Sequence, residues 1–203
     1  MQYSPLLERY LPKLQSLMAD KQTSVLDLAC GGGRNGLFLL ENNIPVTFAD
    51  VKTAALEQVK QSVSSLSASK QELATYWQVD FEQGNFELSS DEKMTLEQVK
   101  NKALAEHSFA AIVVFRYLHR ALFEQIKAVI KPGGMIVYET FTEQQAQFGH
   151  PKNSDFLLKT GELSQLFADW KILHNFEGVV NTLSDAQSQQ AIAQIVAIKP
   201  KYI

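Results

Sequence analysis

Three acids close three successive apolar runs: Asp27 in Val25-Leu26-Asp27-Leu28, Asp50 in Phe48-Ala49-Asp50-Val51, and Asp80 in Gln78-Val79-Asp80-Phe81. The first run continues into Ala29-Cys30-Gly31-Gly32-Gly33-Arg34-Asn35-Gly36, a glycine turn that opens a helical segment. Glycines in such a turn let backbone approach a ligand closely, and the free N–H groups of the first helical turn face it. Asp27 gives this cradle its character. A carboxylate beside the turn repels phosphate but suits a ligand carrying an ammonium and a sulfonium. Asp50 follows Asp27 by 23 residues, close to the ~20-residue spacing at which an acid receives ribose hydroxyls. Its two oxygens can take both hydroxyls. Asp80 can accept from the exocyclic amine of adenine while Phe81 covers the ring. Each acid also has a plainer use, Asp27 and Asp50 as caps and Asp80 as a turn former, but three together at successive strand ends are hard to dismiss.

These features point to S-adenosylmethionine as co-substrate. The expected cofactor-binding set is Asp27, Ala29, Cys30, Gly31, Gly33, Arg34, Asn35, Asp50, Val51, Asp80, Phe81 and Phe115. Gly31, Gly33 and Gly36 also spell G-x-G-x-x-G, which by itself is a weak pattern for NAD. An NAD-dependent oxidoreductase is therefore an alternative reading, since Asp50 would serve a dehydrogenase equally well. A non-catalytic cofactor-binding module is a third.

The acceptor side is read from Phe115-Arg116-Tyr117-Leu118-His119-Arg120. The strand end at Phe115 is expected to pass the sulfonium, and the residues after it to face the acceptor. Arg116 and Arg120 suit a carboxylate or oxyanion, bidentate where geometry permits. His119 can remove a proton from a hydroxyl or amine, whereas a soft acceptor with a lone pair needs no base. The plain alternative is an exposed helix start capped by His119. Neither Asn-Pro-Pro-Tyr nor a Pro-Cys nucleophile is present. With no H-E-x-x-H and with His150 and His174 scattered, no metal is expected.

The elements that must position these residues alternate. Ser4-Pro5 caps an amphipathic N-terminal helix within 1–22 that Pro12 should bend or interrupt. Strands are expected at Thr23–Leu28, Ile44–Ala49, Ala74–Val79, Phe109–Phe115 and Met135–Phe141, the last behind a Lys131-Pro132-Gly133-Gly134 turn. Helices are expected at Arg34–Asn42, Thr53–Leu66, Arg120–Ile130 and from Thr160 to Ala168. Such alternation implies βαβ crossovers and a parallel sheet. Lys171–Val180 and Ala191–Lys199 read as consecutive strands, hence an antiparallel hairpin. Segment 82–108 is an insertion carrying a helix at Thr95–Glu106, and polar segment 142–159 follows the fifth strand where a mobile lid would sit.

Composition sets the outer limits. The 203 residues suit one domain, 1–203, of average apolar (45%) and charged (20%) content. A net charge of −3 without a basic block makes nucleic acid an unfavoured partner. No apolar run approaches the ~18 residues of a membrane span. The start Met1-Gln2-Tyr3-Ser4-Pro5 is unlike a signal peptide, and a single cysteine excludes an intrachain disulfide. A cytoplasmic enzyme acting on a small molecule is the expectation.

Asp27 through Gly33, Asp50, Asp80 and the Lys-Pro-Gly-Gly segment resemble the class I S-adenosylmethionine-dependent methyltransferase family. The resemblance covers nearly the whole chain. It implies an α/β fold: a single Rossmann-like sheet, mostly parallel, with a C-terminal antiparallel hairpin and helices on both faces. Gly32–Leu39 and Phe156–Leu163 are similar to the tellurite-resistance-type branch. Ala29 in place of the first glycine and the enlarged 82–108 segment depart from the family pattern.

Overall fold

A computed structural model describes residues 2–18, 23–82, 109–182, 185 and 187–201. One seven-stranded sheet carries the chain, in the order β3-β2-β1-β4-β5-β7-β6. Its strands are β1 (Val25–Leu28), β2 (Val46–Asp50), β3 (Ala74–Gln78), β4 (Phe109–Phe115), β5 (Ile130–Phe141), β6 (Lys171–Asn181) and β7 (Gln189–Ile198). The pairs among β1 to β5 are parallel, and β7 runs antiparallel between β5 and β6. The strand order reverses between β1 and β4, the place where such sheets bind ligands beyond their carboxyl ends.

Central strands β1, β2 and β4 are buried along their whole length, which is why they read as near-continuous apolar runs. Alternation sorts their side chains onto two faces. Val25, Phe48, Val113 and Val137 pack under α1 (Pro5–Leu17), α2 (Arg34–Glu41) and α3 (Thr53–Ser64). Leu26, Leu28, Val114 and Tyr138 pack under α5 (Phe123–Val129) and α6 (Glu162–Leu166). A one-turn helix, α4 (Ala68–Gln71), precedes β3. Edge strand β6 alternates exposed and half-buried residues, as an edge strand wet on one face should.

Three expectations need correction. α1 is not interrupted at Pro12 but continues through it. Both Pro12 and Glu8, whose carbonyl loses its helical donor, lie on the exposed side, so water can serve that carbonyl. Lys131-Pro132-Gly133-Gly134 is not a turn ahead of β5 but part of it, at a register shift opposite Phe109/Ala111. Gly134 is needed there, since a Cβ would sit 2.5 Å from the Ala110 carbonyl oxygen. The helix expected over Arg120–Ile130 is a 3-10 turn, Arg120–Leu122, running into the shorter α5. The helix read at Thr95–Glu106 lies outside the described residues.

The glycines of the turn divide by role. A Cβ on Gly36 would lie 2.3 Å from the fully buried Phe48 ring and 2.7 Å from Asp27 Oδ2, whereas one on Gly31 would meet nothing within 4 Å. Gly36→Ala is therefore expected to destabilise the fold by about 1–3 kcal/mol or more through overpacking. Gly31→Ala, at φ +53°, should cost about 1–2 kcal/mol of backbone strain and also narrow the open side of the turn. Thermal unfolding of the two variants checks this. Equal losses would remove the distinction.

Candidate active site

Asp27 sits at the end of β1 on the same face as Val25, because side chains alternate along a strand. It therefore points beneath α2, where its Oδ2 accepts from the Gly36 N–H at 2.9 Å. Only 3% exposed, its carboxyl is pushed up to about 7 by burial, against the opposing Gly36 bond and Arg34 charge. Capping of the turn is thus the role its contacts display. One hydrogen bond leaves a carboxylate with further acceptor capacity.

Burial has a consequence for stability. A carboxyl raised from 3.8 to about 7 stabilises the fold fully below pH ~4 and loses that contribution as pH rises through ~7. At ~1.36 kcal/mol per pKa unit the loss amounts to about 4 kcal/mol. In Asp27→Asn the amide oxygen can still accept from Gly36, and the titration is gone. Urea unfolding at pH 5 and pH 8 should then show a smaller fall for the variant than for the parent. Parallel pH profiles would contradict the buried-acid account.

Asp50 closes β2 with both oxygens on backbone: Oδ2 accepts from Gly31 N at 2.8 Å and Oδ1 from Lys52 N at 2.9 Å. It thereby fastens the open glycine to the second strand. Ala29 and Gly31 both take left-handed backbone near φ +53°, so the departure from glycine at Ala29 keeps the turn's shape at some strain. Val51, next to Asp50, is half exposed, an apolar side chain left at the lip of the turn. Cys30 Sγ approaches the Gly31 carbonyl at 3.6 Å, and burial pushes its thiol up, which disfavours the thiolate.

Other expected cofactor contacts are engaged elsewhere. Asn35 is buried and accepts from Ser4 N through Oδ1 at 2.9 Å, while Arg34 Nη1 donates to the Gln2 carbonyl at 3.2 Å. With Tyr3 stacked on Phe38 at 3.8 Å, the N-terminal segment is clasped across the start of α2. Gly33 is closed by packing, a Cβ there meeting Val59 at 2.6 Å. Phe81 is buried edge-on to Trp77 at 5.7 Å, against the core. Phe115 is buried in the opposite core. Asp80 makes the turn, Oδ1 accepting from Glu82 N at 2.9 Å.

Beyond β4 the expected acceptor residues part company. Arg116 has left-handed backbone at φ +62°, a strained choice of a kind that concentrates at functional sites. Its Nη2 pairs with Glu139 at 3.1 Å and its guanidinium stacks on Phe141 at 4.4 Å. Among the described residues its buried Nη1 has no hydrogen-bond partner. Burial lowers the Arg116 pKa, with Glu139 opposing. Arg120 is instead a strap. Nε and Nη2 donate to Glu162 at 2.6 and 2.9 Å, and Nη1 and Nη2 to the Asp155 and Leu157 carbonyls at 3.0 and 2.7 Å. That leaves it little to offer an acceptor, which corrects the expectation. His119 is half-buried ahead of the 3-10 turn and makes no side-chain cap bond.

Arg116 lines a cleft of about 240 Å³ with Tyr117, Leu118 and, from the end of β5, Thr140 and Phe141. Pro151 and Phe156 form its far wall and Glu82 its rim. The wall belongs to segment 142–159, which has contacts back to itself and to β7. Thr142 bridges Leu158, and buried Gln145 takes the Ala191 N–H at 2.8 Å and donates to the His150 carbonyl at 3.2 Å.

Sequence reading missed Glu139, which fixes Arg116. Glu139 is buried in β5, directly across from Phe115 in register. Gln194 Nε2 donates to its Oε2, and the side-chain Oε1 of Gln194 lies 3.0 Å from His174 Nε2. A lone acid inside an apolar strand was the available signal, because such a group demands a partner. Among the described residues no cluster of His, Cys, Asp and Glu could hold a metal ion, and no helix is long and apolar enough to cross a membrane.

A family model described as a methyltransferase domain matches residues 19–197. No curated protein matches the chain in sequence. Among solved structures, TehB from Haemophilus influenzae is similar at a TM-score of 0.64 and 18% identity, over 96% of this chain and 65% of that one. The chain thus spans just under two thirds of TehB's length. A SAM-dependent methyltransferase from Methanosarcina mazei is similar at 0.64 and 14% identity, over 98% and 99% of the two chains. The glycopeptide N-methyltransferase MtfA, solved with S-adenosyl-L-methionine, follows at 0.55 and 14% identity, over 93% and 86%. At these identities the likeness is one of fold.

Proposed function

The chain belongs to the methyltransferase-domain family, and from that premise we propose that it uses S-adenosylmethionine to methylate a small anionic acceptor held at Arg116. The observation that carries the acceptor half is the buried Arg116 guanidinium, one nitrogen paired to Glu139 and the other without a partner among the described residues. An anion completes it.

The turn fits the co-substrate. Gly31 leaves the space a Cβ would fill open, Asp50 lies directly behind it, and Val51 offers an apolar surface at its lip. Asp50 has lone pairs left for ribose hydroxyls after its two backbone bonds. Asp27, its carboxyl raised to about 7 by burial, is the acid whose ionised form a nearby ammonium would favour. Asp80 is the carboxylate expected to receive the adenine amine. When bound, S-adenosylmethionine supplies a methyl group already activated by its sulfonium for in-line displacement.

The protein's own work is positioning in a dry cleft. Arg116 orients the acceptor, Glu139 holds Arg116, and Phe141, Pro151 and Phe156 supply apolar walls that a bound acceptor covers. His119, one residue beyond the cleft-lining Leu118, is the group expected to take a proton where the acceptor must lose one. Segment 142–159 serves as the wall of this cleft.

The test is an acceptor screen that follows S-adenosylhomocysteine release, with carboxylates, thiols, selenite, tellurite and neutral alcohols and amines side by side. Turnover confined to anionic acceptors is the expected result. A neutral amine or alcohol turned over as the best substrate contradicts the anionic half.

A further inference from the structure

Resting on the anionic-acceptor reading above, we infer that the acceptor is an amphipathic organic anion: its charged group sits on Arg116, and a flat apolar body fills the space among Phe141, Phe156 and Tyr117. The cleft's size is the first argument. About 240 Å³ is many times the ~10–15 Å³ of probe-occupied space that a single water needs. An inorganic oxyanion would leave most of that volume wet. An organic molecule with on the order of ten heavy atoms would occupy it, in keeping with the apolar character of small-molecule pockets.

The lining is the second argument. Leu118, Phe141, Pro151 and Phe156 present hydrocarbon, and Phe156 is 49% exposed although it faces the cleft. A large aromatic side chain left wet beside a concave apolar surface gains by covering a ligand of its own kind. The polar groups of the cleft are already directed. Phe141 and Glu139 fix the plane of Arg116, which lines the cleft and keeps one nitrogen without a hydrogen-bond partner among the described residues. Glu82 is hydrogen-bonded to Tyr117, and burial pushes that phenol up with Glu82 and Asp80 adding to it. Tyr117 therefore stays a neutral aromatic wall. Arg116 as the cationic anchor, Glu82 on Tyr117 and several apolar walls select for a single anionic end, held at Arg116 and away from Glu82, on an apolar body.

The test uses the full chain saturated with S-adenosylhomocysteine and measures equilibrium binding of phenylacetate, acetate, selenite and 2-phenylethanol by saturation-transfer NMR and calorimetry. Phenylacetate should bind at least tenfold more tightly than each of the other three. Phe156→Ala should bring phenylacetate towards acetate and leave acetate unmoved. Arg116→Gln combined with Glu139→Gln, which avoids stranding a buried carboxylate, should erase the preference for phenylacetate over 2-phenylethanol. Acetate or selenite binding as tightly as phenylacetate overturns the apolar body while the anionic anchor stands. 2-Phenylethanol binding as tightly as phenylacetate in the parent overturns the anchor, and the inference with it. Failure of all four to bind overturns the inference at this size of acceptor.

Discussion

Asp50→Ala should weaken S-adenosylhomocysteine binding by at least about tenfold, equivalent to ~1.4 kcal/mol. Two contributions add. Ribose hydroxyls lose charge-assisted hydrogen bonds worth ~1.5–3 kcal/mol each, and the Gly31 and Lys52 N–H groups lose the oxygens they now share at 2.8 and 2.9 Å. The second contribution loosens the turn itself, so affinity alone does not isolate the first. A 2′-deoxy analogue of the ligand does. The parent should bind it less well than the full ligand, and Asp50→Ala should bind the two alike. If the variant still discriminates as strongly as the parent, the ribose assignment is wrong and Asp50 serves only the turn.

Arg116→Gln should lower kcat/KM for an anionic acceptor by about a hundredfold, the equivalent of one charge-assisted hydrogen bond at ~2.7 kcal/mol. S-adenosylhomocysteine affinity should change by less than about twofold. The single variant leaves Glu139, 5% exposed, without its counter-ion, and stranding a buried charge costs about 3–5 kcal/mol. The paired variant with Glu139→Gln keeps the fold and the same catalytic loss. Arg116→Lys retains charge but not the planar fork, so it should recover binding only in part. A paired variant with parental kcat/KM would return Arg116 to a structural role.

Much of this architecture was legible because burial leaves a simple imprint. β4 was readable to the residue, since a strand covered on both faces is apolar at every position, Phe109–Phe115. The hairpin of β6 and β7 followed from two strand patterns without a helix between them. The direction of Asp27 was also readable, though only from parity with Val25 rather than from its place at a strand end. Arg120 shows where local reading stops. Its partner Glu162 lies 42 positions on, and nothing near Arg120 announces a strap. Arg116 and Arg120 look alike in sequence, and only the tertiary fold sends one into the cleft and the other into the strap. Gln194 carries no signal at all, because an amide that holds a carboxylate looks like any other polar residue on a strand. The tight Lys-Pro-Gly-Gly segment misled because Pro and Gly mark bulges as readily as turns.

The measurement that bears most directly on the account is a calorimetric titration of the intact chain with S-adenosylhomocysteine and, separately, with NAD. The literal G-x-G-x-x-G allows either ligand in principle, but only Gly31 of its three glycines leaves an open surface, and buried Asp27 lies beneath the turn. The account predicts saturable one-to-one binding of S-adenosylhomocysteine and no heat of binding from NAD at the same concentrations. Saturable binding of NAD with none from S-adenosylhomocysteine would contradict it.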